Sequence, residues 1–204
     1  MGKIEITKKV LGICATNCYT VVDTETKEAL IIDPADRADV LIRDWKDKGV
    51  TPTTVLLTHG HFDHIGALAG VKKEYPDIKV YAAAEEKEVM ESPALNLSSS
   101  FGAAFTAQAD IYLEDGAEIE VLGRKCKCLL VPGHTKGGMC YYFPEEHVVF
   151  TGDTLFCYSV GRTDFPTGDA KALEDAIREK LLVLPDETLA VSYTHLRAHE
   201  TLMN

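Results

Sequence analysis

Apolar and polar positions alternate in a β manner from Cys18 to Asp23 and from Ala29 to Asp33, on either side of the polar turn Thr24-Glu25-Thr26-Lys27. This predicts a hairpin that ends at Pro34. Over 36–48 the period changes to that of a helix, with Val40, Leu41 and Trp45 on one side and Gly49 as the stop. Thr53 to Thr58 is a short apolar run of buried-strand length. A helix over 64–75, a strand over 78–82 and a helix over 85–91 follow. The stretch 93–109, rich in Ser and Ala, breaks the pattern and is read as a mobile segment or loosely helical lid. Strands are predicted at 119–122, 126–131, 139–143 and 148–151. Leu173, Ala176, Ile177 and Leu181 mark a helix over 169–182, and 189–191 is a last strand. The order strands, helices, strands, helix, without repeat or linker, predicts two facing sheets with helices outside, a four-layer α/β domain.

Composition narrows the class. The 204 residues, 46% hydrophobic and 26% charged, suit one domain with a substantial core. No apolar run approaches the length of a membrane span, and Met1-Gly2-Lys3-Ile4-Glu5-Ile6 has no apolar stretch of the signal-peptide kind. A cytoplasmic protein is expected, with no membrane partner. The net charge of −11 repels polyanions, and Lys8-Lys9 and Lys72-Lys73 are isolated doublets, so nucleic acid is excluded as a partner. Nothing in the sequence addresses oligomeric state. The six cysteines are read as reduced thiols, mainly small buried hydrophobes. Cys14 and Cys18 lack the C-x-x-C spacing, and Cys126 and Cys128 are expected to point to opposite sides of their strand.

The chemistry concentrates in Thr58-His59-Gly60-His61-Phe62-Asp63-His64, which puts three imidazoles and a carboxylate within six residues at the end of a predicted buried strand. Imidazole and carboxylate suit Zn²⁺ or Fe²⁺. Gly60 allows a tight backbone path, so His59 and His61 can converge, while Asp63 and His64 open the next helix and can serve an adjacent position. His134, in Pro132-Gly133-His134-Thr135, and Asp153, in Thr151-Gly152-Asp153-Thr154, also follow predicted strands. That shared location is the argument for a common site.

The H-x-H-x-D-H run resembles the signature of the metallo-β-lactamase superfamily. The order of the P-G-H-T and T-G-D-T-L-F motifs is similar to its glyoxalase II-like, or hydroxyacylglutathione hydrolase-like, branch, in the short single-domain form. The resemblance runs from about Asn17 to Leu189. It implies the αββα sandwich and two zinc ions. His59, His61 and His134 would hold the first ion, Asp63 and His64 the second, and Asp153 would bridge both. Asp63 and Asp153 would thereby position a metal-bound hydroxide that cleaves a small-molecule thioester, of the 2-hydroxyacyl-thiol type. Arg162, in Gly161-Arg162-Thr163-Asp164, matches a basic residue that contacts a carboxylate of the thiol carrier in glyoxalase II proteins. Pairing with Asp164 is its structural alternative.

The sequence departs from that pattern at its end. Where the family has a P-G-H motif whose His completes the second metal position, this chain reads Ser192-Tyr193-Thr194-His195. His195 falls one place off, on the other face of a strand. The run from Ser192 to Thr201 resembles a translated sequencing-adapter artefact. The expectation is a C-terminally incomplete sandwich over 1–191 with a non-native tail at 192–204. Two other functions share the same residues. One is a persulfide dioxygenase with a single Fe²⁺ on His59, His134 and Asp153. The other is a truncated product without activity.

Overall fold

The computed structural model describes residues 2–192 and the backbone of 196–197. The first sheet has six strands in sequence order: β1 (Ile4–Leu11), β2 (Thr16–Asp23), β3 (Glu28–Ile32), β4 (Thr51–Leu56), β5 (Lys79–Ala83) and β6 (Ile111–Leu113). The first three are antiparallel, and β3 to β6 are parallel. The second sheet runs from β7 (Glu118–Val121) through β8 (Arg124–Leu130), β9 (Met139–Phe143) and β10 (Val148–Phe150). After the small hairpin β11 (Leu155–Phe156) and β12 (Ser159–Val160), β13 (Leu189–Val191) joins β10 in parallel, and β14 (Leu196–Arg197) lies outside it.

The period-2 side-chain alternation of these strands builds the layers. Leu30, Ile32 and Leu56 of the first sheet meet Cys126, Cys128, Met139, Tyr141 and Phe150 of the second in the middle. Ala29, Ile31 and Val55 turn the other way, onto Leu41 and Trp45 of α1 (Ala38–Asp47) and Leu68 and Val71 of α3 (Leu68–Glu74). On the far side Cys140, Tyr142 and Val149 pack against Leu173 of α5 (Ala170–Ala176) and against Ile177 and Leu181 of the π-helical turn that continues it. The result is the expected αββα sandwich. No helix among the described residues is long and apolar enough to cross a membrane.

Several elements differ from the sequence expectation. The predicted helix 64–75 is two pieces, α2 (Phe62–Ile65) and α3, because the Ala67 N–H leaves the helical pattern and donates to the Pro34 carbonyl at 2.9 Å. The helix predicted over 85–91 is a 3-10 turn, Ala84–Glu86, leading into α4 (Lys87–Glu91). The segment 93–109 holds one short 3-10 turn, Ser98–Ser100, and no lid helix. Buried Asn96 organises it by donating to the carbonyls of Met90 and Phe105. Cys126 and Cys128 share a face rather than opposing each other, as residues two apart on a strand must. Both are buried in the inter-sheet core, as Cys18 and Cys140 are buried elsewhere.

Trp45 is the largest fully buried side chain, and its Nε1–H donates to Thr20 Oγ1 at 3.0 Å. It joins α1 to the first sheet, so Trp45→Ala lowers unfolding stability by ~3–5 kcal/mol in a urea titration.

Candidate metal centre

Three strands of the two sheets end at one edge, and each is followed by a residue of the site. His59 and His61 lie in the loop after β4, with Asp63 and His64 on α2. His134 follows β8, and Asp153 follows β10. Two bonds bring the sheets together there: Tyr141 Oη donates to the Leu57 carbonyl at 2.7 Å, and Met139 N–H to the Thr58 carbonyl at 2.8 Å. Gly152 is required because its φ is +50° and a Cβ would collide with Thr58 Oγ1.

Five of the six sequence-predicted residues form two sets that share His59, and Asp63 lies beside the second without joining it. Ligand atoms of His59, His61 and His134 lie within 4.8 Å of one another, as do those of His59, His64 and Asp153. His134 Nε2 stands 3.2 Å from His59 Nε2 and 3.0 Å from His61 Nδ1. A tetrahedral ion ~2.0–2.1 Å from each nitrogen would hold them ~3.3 Å apart. The rings meet edge to face, with centroids 4.7 Å apart. Asp63 is held by Thr16 Oγ1, which donates to its Oδ2 at 2.6 Å. His64 Nε2 is buried with no hydrogen-bond partner among the described residues, although Asp153 Oδ1 and Asp63 Oδ2 stand 3.4 and 3.7 Å away.

Electrostatics favours a cation at both places. Burial, and then the neighbouring rings, hold His59 well below the ordinary imidazole range. Burial also brings His61 down to about 3 and lowers His134, against the opposing pull of Asp153. Three neutral rings therefore present lone pairs to one point. For His64 burial opposes charge, but Asp153, Asp33 and Asp63 outweigh it and raise its pKa well above the usual value. Burial works against ionised Asp153 too, yet His64 leads the histidines that bring it to about 2. Carboxylates converging on a buried, unpartnered nitrogen form an oxygen and nitrogen donor set of the kind that holds Zn²⁺ or Fe²⁺. The residues present fit the group that the sequence implied.

Two residues of this arrangement escaped the sequence reading. Asp33, at the end of β3, is buried and accepts from Thr58 N–H at 2.7 Å and Thr58 Oγ1 at 2.6 Å, with His64 Nδ1 2.8 Å from its Oδ2. It therefore fixes the ring of His64, as an outer partner of a candidate ligand does. Its place just past a strand, like that of His134 and Asp153, was the available signal. Thr16 had none, being an ordinary strand residue until the fold sets it beside Asp63.

A cavity of about 380 Å³ opens over the two sets. Its wall is largely apolar, with Phe62 stacked on Phe101 at 4.8 Å and with Leu97 and Phe165 also lining it. Arg162 lines it as well. Its carbonyl lies 2.7 Å from His134 Nδ1 and fixes that ring, while its exposed guanidinium makes a two-pronged pair with Asp164 at 2.9 and 2.7 Å and lies over Phe165 at 4.2 Å. His195 lies outside the described residues. At the same rim Ser192 offers its carbonyl to Asn17 Nδ2 at 3.2 Å and to Tyr19 Oη.

Fold and site together define an αββα domain built around a histidine and aspartate metal centre. The chain belongs to the metallo-β-lactamase superfamily, whose family model matches residues 11–195. It is 38% identical over 184 residues to the probable metallo-hydrolase YqgX of Bacillus subtilis (strain 168), covering 89% of this chain and 86% of YqgX. It is 34% identical over 182 residues to the hydroxyacylglutathione hydrolase GloC of Haemophilus influenzae, covering 86% of this chain and 84% of GloC. Among solved structures, the BLEG-1 B3 metallo-β-lactamase superposes with a TM-score of 0.91 at 35% identity, over 98% of this chain and 97% of that one. TTHA1623 in a di-iron-bound form superposes with a TM-score of 0.83 at 32% identity, over 97% of each.

Proposed function

We propose that this chain is a binuclear metallohydrolase that cleaves a small-molecule thioester of the 2-hydroxyacyl-thiol type. One observation carries the proposal: two ligand sets that share His59 lie at the floor of an apolar cavity. His59, His61 and His134 would hold one divalent ion, Asp63 and His64 the other, and Asp153 would serve both. When bound, such ions acidify water and polarise a carbonyl oxygen, which lets hydrolysis proceed without a serine or cysteine nucleophile. The chain's own part is to arrange this. Arg162 and Asp33 orient His134 and His64 through the far ring nitrogens, Thr16 holds Asp63, and the phenylalanines take the apolar part of the substrate and exclude water. Zinc is the ion expected of this donor set, and the di-iron form of TTHA1623 keeps iron as the alternative. The likeness to GloC supports a thioester, and the likeness to BLEG-1 supports a β-lactam as the competing substrate.

The proposal predicts that a 2-hydroxyacyl thioester is hydrolysed with a kcat/KM at least about 10²-fold above that for a β-lactam, since substrates compete through kcat/KM. Steady-state kinetics on the purified protein, with its metal content measured, tests this. A higher kcat/KM for the β-lactam would reverse the assignment.

A further inference from the structure

Glu86 ends the 3-10 turn after β5, and none of it is exposed. It is outside the cavity lining, and the proposed chemistry does not use it. Both of its oxygens are nevertheless fully engaged. Oε1 accepts from Gly60 N–H at 2.7 Å, and Oε2 from Gly137 N–H at 2.9 Å and from Thr135 Oγ1 at 3.0 Å. Gly60 separates His59 from His61, and Thr135 follows His134. One side chain thus binds both histidine loops, which come from different sheets.

The packing is closed down around it. A Cβ on Gly60 would stand 3.3 Å from Glu86 Cγ and Oε1, and a Cβ on Gly137 would overlap Glu86 Oε2 and its backbone nitrogen. For stability alone this is a poor arrangement. Burial pushes the Glu86 carboxyl up to about 7, against the pull of its three donors and of Lys136. Apolar side chains hold loops together at less cost than a buried charge. A carboxylate adds something apolar packing lacks, which is two acceptors rigidly linked, one for each loop.

We propose that Glu86 is a positioning residue for the metal centre, setting the separation of His59 and His61 from His134. The proposal rests on the metal-binding reading above. It predicts that Glu86→Gln weakens the first equivalent of zinc by about 10–100-fold, the usual effect of losing an outer partner of metal ligands. The amide nitrogen of glutamine must face either Gly60 N–H or Gly137 N–H, and neither donor can turn round. Thr135→Val, which deletes one of three donors, weakens zinc by about 3–10-fold.

The test is a zinc titration against a chromophoric chelator for the wild type and both variants. It is paired with thermal melts of the chelator-treated proteins, which are expected to agree within ~5 °C. A merely structural glutamate would lower those melts and leave zinc affinity unchanged. Unchanged zinc affinity in Glu86→Gln overturns the proposal. Should that variant fail to fold, unchanged affinity in Thr135→Val overturns it instead. A wild type that binds no zinc takes down the metal-binding reading and this proposal together, whereas a wild type that binds and variants that bind equally take down this proposal alone.

Discussion

Asp153→Asn lowers kcat/KM by at least about 10³-fold while leaving the far-ultraviolet circular dichroism unchanged. The size follows from position. Asp153 is the carboxylate between the two sets, with Oδ1 3.4 Å from His64 Nε2 and Oδ2 3.8 Å from His134 Nε2. Losing an outer partner of a ligand costs about 10–100-fold, and losing a charged ligand that serves two ions costs more. Asparagine keeps the shape and one oxygen, so packing survives and only the charge goes. Because Asp153 is half-buried at the cavity floor rather than in a core cluster, the change carries little folding penalty. Metal analysis of the variant is expected to show loss from the set containing His64. Retention of activity within tenfold of the wild type would remove Asp153 from the centre.

The second large effect is that of metal removal. Treatment with a strong chelator abolishes hydrolysis, and adding zinc restores it together with a rise in Tm of about 5–10 °C. An ion held at a hundred times its dissociation constant contributes about 2.7 kcal/mol, and a domain of this size gains ~2–4 °C per kcal/mol. The stabilisation has a source in the structure: Asp33, Asp63 and Asp153 crowd around His64, and three neutral imidazoles face one another across 3.0–3.2 Å. A cation relieves both. Melting curves against zinc added per chain check the stoichiometry, with saturation expected at two equivalents. Saturation at one equivalent would leave only the three-histidine set in use and retire the binuclear proposal. Saturation by iron with recovery of activity, where zinc gives none, would move the metal assignment to iron.

The ligand sets were legible because most of them are local. A run of six residues carries His59, His61, Asp63 and His64, and no folding is needed to bring them near one another. The αββα class was legible for a related reason, since the apolar period switches between two and 3.6 in step with strand and helix. β1 was missed because the alternation of half-buried Ile4 and Ile6 about Glu5 gives way to Thr7, Lys8 and Lys9, so its pattern is faint. β6 was missed because three residues give no period at all. The break between α2 and α3 was invisible, since only the fold brings the Pro34 carbonyl to the Ala67 N–H.

By itself, then, the sequence determined the candidate metal donors, the order of the layers and the acidic net charge. Those properties depend on residue type and on spacing along the chain. Tertiary structure alone decided that Thr16 holds Asp63, that Asp33 orients His64, that Arg162 turns its guanidinium to Asp164, and that Glu86 joins the two histidine loops. Each of these is a contact between segments distant in sequence or a choice among competing partners. Its energy depends on distance and burial, which the packing of the two sheets sets.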